Sequence, residues 1–557
     1  MPIAALRALA AFTLLVALGP AQVGVYFDQP GMRLRSGTAT PNGARWSLAL
    51  VMENDNANAS LPSSFRRWWA CGVRGLPPGG TTLDVAVANS GYTDIILPVW
   101  SQSSDGVHFG PWTRMPLSAV PTRSGTTHRF SVATPPGVVD VRIAKYFPYS
   151  IAEKDALLAG IAAAGGLGSV QTLGHSVQGR PIQLATLTDA RVSLTRKRRV
   201  WLHAGIHPAE TTSYFVVEGF VQELLSGSPE AQILLASLVF DIVPMANPDG
   251  VALGNYRTNA NSSNLEEEWS SPYASPQPEV VALRAAIEAR MGTVAAPGAA
   301  PIDLLFNLHS SHGLSWPFHF QHVANASFHP VTNNSGVIPE VHAREAAWIA
   351  AFRAASPLVA AGATQSSSLS PPARPFVESM MHDRWSYFPA WRTAEAPVMA
   401  ITFEGTYGPG PGSAWNSPAD WRQCGREMVH AIADMLDLNP SGVAIDDLQP
   451  CGIAALGAGF QPLGARLDLA LQASPGDLAA VFVFGLTPQA IPLPALGCLL
   501  RTEPLIVEAR PLDLGGRAAL SIQPPPGFTA LRTQAAVLRA SGASFATSNL
   551  LTVLVLR

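Results

Sequence analysis

The 557-residue sequence is short of charged residues and of cysteine, and both shortages exclude classes of function. Charged residues make up 13% and the formal net charge is −3, so we expect no basic surface for nucleic acid or for an acidic membrane. A basic run at 196–199 precedes a hydrophobic stretch and is interpreted as solvent-exposed residues at the beginning of a strand. The four cysteines form no Cys-x-x-Cys motif, which argues against a thiolate zinc site or a dithiol redox site.

Long hydrophobic runs are also missing. Outside the N-terminus, no stretch approaches the roughly 18 apolar residues of a membrane-spanning helix. The short apolar run 8–18 follows Arg7 and precedes small residues, which is typical of a signal peptide. We therefore predict a signal peptide at 1–22 and a mature protein that is secreted, periplasmic or at the cell surface. A buried N-terminal helix is the alternative interpretation.

The even number of cysteines permits disulfides in an exported chain. Cys451 and Cys498 form the most local pair and would staple the C-terminal region. Cys71 and Cys424 would then join separate domains.

The chain is too long for one hydrophobic core, and its pattern changes twice. Residues 23–149 carry short alternating runs between turn signals, which predicts a β-sandwich. Strand and helix patterns alternate over 150–439 and predict an α/β domain with a mixed central sheet. Short β-like runs return over 440–557 and predict a small β domain, for which surface or glycan attachment and a plain accessory role both stay open.

Polar side chains follow the predicted strands of the α/β domain. Those strands are 200–204, 238–243, 302–308 and 398–403. Open α/β sheets place their sites just beyond the carboxyl ends of the strands. We therefore expect the side chains that follow these strands to lie together.

The first of these groups is His207 and Glu210, three residues apart at the start of a predicted helix. This spacing lets one imidazole nitrogen and one carboxylate oxygen reach the same metal ion. His309 ends the third strand and completes the two-His, one-Glu donor set of a hydrolytic zinc site. His312 and His319 are rival third ligands, and the donor set also suits other divalent ions.

A hydrolytic zinc site also needs a base and a partner for the developing oxyanion. Glu404 ends the fourth strand, as a base could. Arg257 follows the Asn-Pro-Asp-Gly turn at 247–250 and could be the oxyanion partner.

Taken in order, these motifs resemble the signature of the zinc carboxypeptidase family, the carboxypeptidase A-like metallopeptidases. The resemblance is greatest to the cytosolic-carboxypeptidase-like branch, which carries an N-terminal β-sandwich. The motifs are His-Pro-Ala-Glu at 207–210, Asn-Pro-Asp-Gly-Val at 247–251, Gly-Asn-Tyr-Arg at 254–257, His309 and Thr-Phe-Glu at 402–404.

The resemblance implies one zinc ion bound by His207, Glu210 and His309. It also implies Glu404 as the general base and Arg257 as the group that polarises the scissile carbonyl. Tyr387 falls where the family's mobile substrate-binding tyrosine lies, with Trp385 and Tyr407 as rivals.

The sequence departs from this branch where an Asn-Arg pair grips the substrate's terminal carboxylate. Leu265 and Trp269 hold the register, so Glu266 and Glu267 occupy the Asn-Arg positions. Glutamate repels a carboxylate and favours an amine or a guanidinium. In the alternative interpretation the two glutamates are exposed to solvent, and another cation binds the terminal carboxylate of the substrate. The candidates for that cation are Arg374, Arg384 and Arg392.

The sequence therefore predicts an exported zinc metallopeptidase of carboxypeptidase type that acts on peptide or protein substrates. A zinc amidase or endopeptidase with altered end-group specificity is the first alternative. A non-catalytic binding protein with a degenerate site is the second.

Overall fold

The computed structural model describes residues 22–554 except 195–196, 270–273, 312–315, 334, 361, 363, 368–373, 392–395, 411–413, 437, 439–442, 449–454, 462–465, 486–487, 494–497, 503, 505, 523–529, 540–544 and 549. The predicted signal peptide at 1–22 lies outside the described residues, apart from Gln22. The chain divides into two compact units. One contains the described residues of Met1–Glu53 and Trp69–Lys145, and the other contains Asn54–Trp68 and Tyr146–Arg557. The predicted domain boundaries stay predictions.

The first unit is rich in strands, as predicted, and contains two five-stranded sheets. Within Thr127–Thr134, side chains alternate between buried and accessible, which is the pattern of a sheet with one face covered. The first sheet, in spatial order, is Gly24–Tyr26, Ala70–Arg74, Asp140–Ala144, Val99–Ser103 and Thr113–Arg114. The second is Ser36–Asn42, Arg45–Val51, Thr81–Ala88, Thr127–Thr134 and Thr122–Ser124.

An eight-stranded mixed sheet forms the centre of the second unit. Its strands, in chain order, are β1 (Gly168–His175), β2 (Pro181–Leu187), β3 (Arg198–Ala204), β4 (Leu238–Val243), β5 (Ile302–Ser311), β6 (Phe318–His322), β7 (Thr364–Ser367) and β8 (Met399–Thr406). Their spatial order is β1-β2-β4-β3-β5-β8-β6-β7. The four strands β4, β3, β5 and β8 run parallel, and β4 and β5 are buried along nearly their whole length. The carboxyl ends of these four strands therefore meet at one edge.

The helices of the second unit are α1 (Ile151–Ala162), α2 (Thr212–Leu224), α3 (Pro229–Ser237), α4 (Pro248–Leu253), α5 (Pro278–Met291), α6 (Pro339–Ala355), α7 (Pro357–Ala360), α8 (Val377–Met381) and α9 (Pro418–Met435). Of these, α1 precedes β1, α9 follows β8, and the others lie in the segments that connect the strands. A short 3₁₀ turn, Leu265–Glu267, and a π-helical turn, His382–Ser386, also bear on the site.

Helices α2 and α9 pack closely through glycine. A β-carbon on Gly219 of α2 would collide with the Arg422 carbonyl oxygen, and one on Gly425 of α9 would collide with the Val216 carbonyl oxygen. Two backbones can approach this closely only where no side chain stands between them. Since α2 follows β3 and α9 follows β8, this contact holds together the helices that come after two of the strands that carry site residues.

The chain after α9 forms further strands, as predicted. One sheet contains Val443–Leu448, Leu550–Leu554, Ala530–Leu538, Ala479–Gly485 and Ile506–Pro511, with Phe545–Thr547 paired to Ala530–Leu538. A second contains Ala455–Gln461, Arg466–Gln472 and Arg517–Ile522, and Pro488–Leu493 pairs with Cys498–Thr502. The predicted fold, an α/β domain preceded and followed by strand-rich regions, is confirmed. The suggested role in surface or glycan attachment stays a prediction.

The structure corrects one cysteine prediction. Cys71 and Cys424 are both free thiols, so the predicted disulfide between them is wrong. Each side chain is fully buried in the apolar interior of its own unit, where it packs as a small hydrophobic group. Cys451 lies outside the described residues, and its bridge to Cys498 stays a prediction. In the described part of the chain, no helix has both the length and the apolar character needed to cross a membrane.

Candidate functional site

A sharp turn after β3 presents the first two predicted ligands. Gly205 has a φ of 72°, and a side chain there would collide with the Tyr214 hydroxyl. His207 and Glu210 lie in the next turn, which is closed by the Glu210 N–H donating to the His207 carbonyl at 3.2 Å. Helix α2 begins only at Thr212, so both residues precede the helix at whose start they were predicted to lie. Pro208 disfavours helical geometry at His207, the residue before it.

Strands β5 and β8 contribute two rows of side chains, and both strands extend further than predicted. His309 pairs with Glu404 across the two strands, and two residues earlier Asn307 pairs with Thr402. Because side chains alternate along a strand, both pairs project from the same face of the sheet. We call His309 and Glu404 the outer row, and Asn307 and Thr402 the inner row.

Three side chains converge on one point beside the outer row. The Nδ1 atom of His309 lies 3.1 Å from that of His207, and each is 2.9 Å from one carboxylate oxygen of Glu210. Ligand atoms bound to one zinc ion at about 2 Å lie about 3 Å from each other, so this spacing fits a single ion. The three residues are the potential metal cluster found among the described residues.

The electrostatics of the cluster also fit a cation. Burial by itself lowers the pKa of His309, but the carboxylates of Glu266 and Glu210 raise that pKa well above its usual value. Burial, followed by repulsion from Glu210, raises the pKa of Glu404 to about 8. The Oε2 atom of Glu404 is shielded from solvent and has no hydrogen-bond partner in the described structure. Several carboxylates thus crowd a point that a divalent ion would neutralise.

The outward-facing nitrogens of both histidines lie close to side-chain oxygens. The Nε2 atom of His207 is 3.0 Å from the Asn264 side-chain oxygen. The Nε2 atom of His309 is 3.2 Å from the Glu266 Oε2 atom. Metal-binding histidines commonly hold the second ring nitrogen against an oxygen in this way, because the contact fixes the tautomer and the ring orientation.

Arg257 lines the same cavity, and its backbone is held from a distant part of the sequence. The carboxylate of Asp55 accepts the N–H groups of Tyr256, Arg257 and Thr258 at 2.7–2.8 Å. The guanidinium also lies over the Phe65 ring, 5.6 Å from its centroid. Asp55 therefore holds the backbone of the arginine, and Phe65 contacts its side chain.

The cavity has a volume of about 250 Å³ and brings together most of the predicted residues. His207, Glu210, His309, Glu404, Arg257 and Glu266 all line it. Five other lining residues were not predicted as site residues: Phe320, His322, Phe376, Glu378 and Thr402.

Two predicted substrate-binding residues lie elsewhere. Glu267 is exposed at the surface of the turn and accepts a hydrogen bond from the Asn264 amide at 2.8 Å. The Tyr387 ring packs against Phe328 and Phe388 in a separate apolar cluster and lines a different pocket. The two rivals are also placed outside the cavity: Trp385 is buried in the core, and the Tyr407 hydroxyl donates to the Ala209 carbonyl.

The alternative zinc ligands and the alternative carboxylate-binding arginines either make other contacts or lie outside the described residues. His319 accepts a hydrogen bond from the Trp348 ring nitrogen at 3.2 Å within an aromatic cluster. Arg374 forms a double ion pair with Asp383, and Arg384 pairs with Glu288. His312 and Arg392 lie outside the described residues.

Three residues that support the site were missed: Asp55, Asn264 and Glu378. Asn264 directly precedes Leu265, one of the two residues that hold the register of the family motif, so its position was available as a signal. Asp55 and Glu378 stand in no motif, and only the folded chain brings them to the site.

The comparisons with known proteins find similarity to zinc carboxypeptidases. Residues 156–368 match the family model described as zinc carboxypeptidase. Cytosolic carboxypeptidase 2 of Xenopus tropicalis is 38% identical over 105 residues, which are 18% of this chain and 11% of that protein. Cytosolic carboxypeptidase 6 of Mus musculus is 41% identical over 110 residues, 19% of this chain and 20% of that protein. The matches thus span a tenth to a fifth of these relatives.

Solved structures extend the likeness over more of the chain. A metallo-carboxypeptidase from Burkholderia cenocepacia has a TM-score of 0.55 at 24% identity and covers 75% of this chain and 99% of its own. A metallo-carboxypeptidase from Pseudomonas aeruginosa, in complex with (2-guanidinoethylmercapto)succinic acid, has a TM-score of 0.57 at 21% identity and covers 74% and 99%. At these identities the likeness shows the fold. The predicted resemblance to zinc carboxypeptidases, in their cytosolic-carboxypeptidase-like branch, is confirmed. One zinc ion is the cofactor of that family, and the His-Glu-His cluster can hold one.

Proposed function

From the zinc carboxypeptidase likeness and the geometry of the cavity, we propose that this protein hydrolyses peptide or amide bonds with one bound zinc ion. The observation that carries the proposal is the convergence of His207, Glu210 and His309 beside Glu404 and Arg257. A metal centre, a carboxylate and a guanidinium in one cavity are the parts that metal-assisted hydrolysis of a carbonyl compound needs.

Each residue has a chemical task in this proposal. A bound zinc ion supplies a water nucleophile that is acidic near neutral pH and polarises the substrate carbonyl. The Glu404 carboxylate accepts the proton of the attacking water and passes it to the leaving amine. Arg257 donates hydrogen bonds to the carbonyl oxygen as negative charge develops there. Asn264 and Glu266 orient the two histidine rings through their Nε2 atoms.

Peptides or proteins are the proposed substrates. Whether the substrate must carry a free C-terminal carboxylate is a separate question with its own experiment. The Asn-Arg pair of the related carboxypeptidases is replaced here by Glu266, which lines the cavity, and Glu267, which does not. This observation favours the second candidate function, an amidase or endopeptidase that does not require a free C-terminal carboxylate.

Export remains part of the proposal. It is supported by the short apolar segment after Arg7 and the small residues that follow it. Identification of the mature N-terminus in culture medium or a periplasmic fraction would support export. Recovery in the cytoplasm with residues 1–22 intact would contradict it.

The proposed activity is tested with paired peptides that carry a free or an amidated C-terminus. Zinc-loaded wild type is expected to cleave at least one of the pair, and Glu404→Gln is expected to lose at least about 10²-fold in kcat, since general-base catalysis contributes that much. Cleavage of the free acid alone would support a carboxypeptidase. Cleavage of the amide as well would support the second candidate. Full activity of Glu404→Gln, or no cleavage of either peptide, would contradict the proposal.

A further inference from the structure

The inner row forms a second layer of the cavity, deeper in the sheet than the metal cluster. Asn307 and Thr402 each stand two residues before an outer-row residue on the same strand. Successive residues on one face of a strand are about 7 Å apart. A substrate group that contacts the inner row would therefore lie about one long side chain away from the reacting carbonyl.

Two carboxylates meet at the inner row. The Asn307 amide nitrogen lies 2.9 Å from Glu266 Oε1 and 3.5 Å from Glu378 Oε1. The Thr402 hydroxyl donates to the same oxygen of Glu378. One amide group thus bridges two glutamates that come from different segments, the turn Leu265–Glu267 and helix α8.

The Glu378 carboxylate of this pair is short of positive charge. Burial, followed by repulsion from Glu266, raises the pKa of Glu378. The Glu266 Oε2 atom is buried, and the His309 Nε2 atom faces it at 3.2 Å. Two buried carboxylates that share one amide donor repel each other, and a cation between them relieves that repulsion.

The surrounding residues do not supply that cation. Of the described residues that line the cavity, Arg257 alone carries a permanent positive charge, and we have assigned it to the reacting carbonyl. The His322 ring also lines the cavity, but its Nδ1 atom is 2.5 Å from the Glu345 carboxylate, so any charge on it is already matched.

We propose that Glu266 and Glu378 form a subsite for a cationic substrate group, an ammonium or a guanidinium. This inference rests on the proposed hydrolytic function and names its substrate class. The substrate is a peptide or amide that carries a basic side chain or a free amine next to the scissile bond. A carboxylate at the inner row would meet two glutamates of its own sign, so acidic substrates are disfavoured.

The test compares three amidated peptides that differ in one side chain: lysine, the uncharged norleucine of similar length, and glutamate. Wild type is expected to prefer lysine over norleucine by about tenfold or more in kcat/KM, because a hydrogen bond to a charged group is worth at least that factor. Glu378→Gln is expected to abolish most of this preference. Glu378→Asp, which keeps the charge, is expected to retain much of it.

A matched control lies on the same turn. Glu267→Gln removes one negative charge next to Glu266 but outside the cavity, so the lysine-to-norleucine ratio should not change. A ratio that falls as much in Glu267→Gln as in Glu378→Gln would mean that general surface charge, and not the subsite, selects the substrate. That result would overturn the inference.

A binding measurement separates this inference from the proposed function. Calorimetric titration of the lysine and norleucine peptides into zinc-loaded Glu404→Gln, with and without Glu378→Gln, needs no turnover. Lysine-selective binding that depends on Glu378, without cleavage by wild type, would support the subsite and contradict the hydrolytic function. Equal cleavage of all three peptides, or preference for glutamate, would overturn the subsite and leave hydrolysis standing. Absence of both binding and cleavage would overturn both.

Discussion

The carboxylate of Asp55 accepts the backbone N–H of Arg257 at 2.8 Å, across 202 positions of sequence. The same carboxylate accepts the N–H groups on either side, so three successive amides point at one side chain. Burial raises the pKa of Asp55, and these hydrogen bonds act against that rise. A buried carboxylate held by three backbone donors fixes the loop that carries the arginine.

The first prediction concerns this contact. Asp55→Asn preserves the shape but turns amide hydrogens toward at least one backbone N–H, which leaves a buried donor unsatisfied. We expect a loss of about 1–3 kcal/mol in the free energy of unfolding and a fall in kcat/KM of about tenfold or more. Denaturant unfolding and peptide hydrolysis measure the two effects. Asp84→Asn, which breaks an exposed pair with Arg45, is the control and should cost less than about 1 kcal/mol.

The second prediction concerns removal of the metal. Zinc bound only by the folded chain stabilises it by about 2.7 kcal/mol at a hundredfold excess over the dissociation constant. Treatment with a chelator should therefore lower the calorimetric midpoint, and added zinc should restore it. His309→Ala should abolish stoichiometric zinc in elemental analysis, whereas His319→Gln should destabilise the aromatic cluster and still bind one zinc per chain. Loss of zinc in His319→Gln with retention in His309→Ala would reverse the ligand assignment.

The third prediction concerns Asn264. Its side-chain oxygen holds the outward nitrogen of His207, and loss of such a partner typically weakens metal binding by about 10–100-fold. Competition with a chromogenic chelator should show this loss for Asn264→Ala and its partial recovery for Asn264→Asp, which keeps an acceptor. Asn261→Ala serves as the comparison, since that amide bonds to Gln277 and not to a ligand. Equal zinc affinity in all three variants would refute the positioning role.

The fourth prediction concerns the contact between α2 and α9. Gly219→Ala would force the two helices apart, because its β-carbon collides with the Arg422 carbonyl oxygen. We expect a cost of about 1–3 kcal/mol in the free energy of unfolding. Gly160→Ala is the matched substitution: that glycine also lies in a helix, but nothing stands within 4 Å of the new atom. It should stabilise the chain by up to about 1 kcal/mol.

The sequence was informative about the residues that stand at strand ends. His207, Glu210, His309 and Glu404 follow or end hydrophobic runs, and parallel strands bring their carboxyl ends to one edge whatever the helices between them do. The structure brings these four together, with Arg257, in one cavity. The roles assigned to them stay predictions until they are tested.

Other residues were beyond sequence reasoning for a physical reason. Asp55 and Glu378 contribute through burial next to groups hundreds or tens of residues away, and no local spacing encodes such a contact. Tyr387 illustrates the reverse case. Tyr387 was expected to reach the substrate, which requires the preceding segment of the chain to bring it to the cavity. Its ring instead packs against Phe328. The cysteine pairing was wrong because an even count says nothing about which thiols the fold encloses separately.

The pairing of β5 with β8 has a consequence for how the chain can go wrong while folding. A slip of one residue between two strands turns every side chain of one strand to the opposite face. Here such a slip would turn away Glu404 and Thr402 together, since both project from the same face of β8. A single register slip therefore removes both the proposed base and the Thr402 side of the inner row from the cavity. A chain with this shifted register should therefore have no hydrolytic activity, and we do not expect it to keep a slow or unselective one.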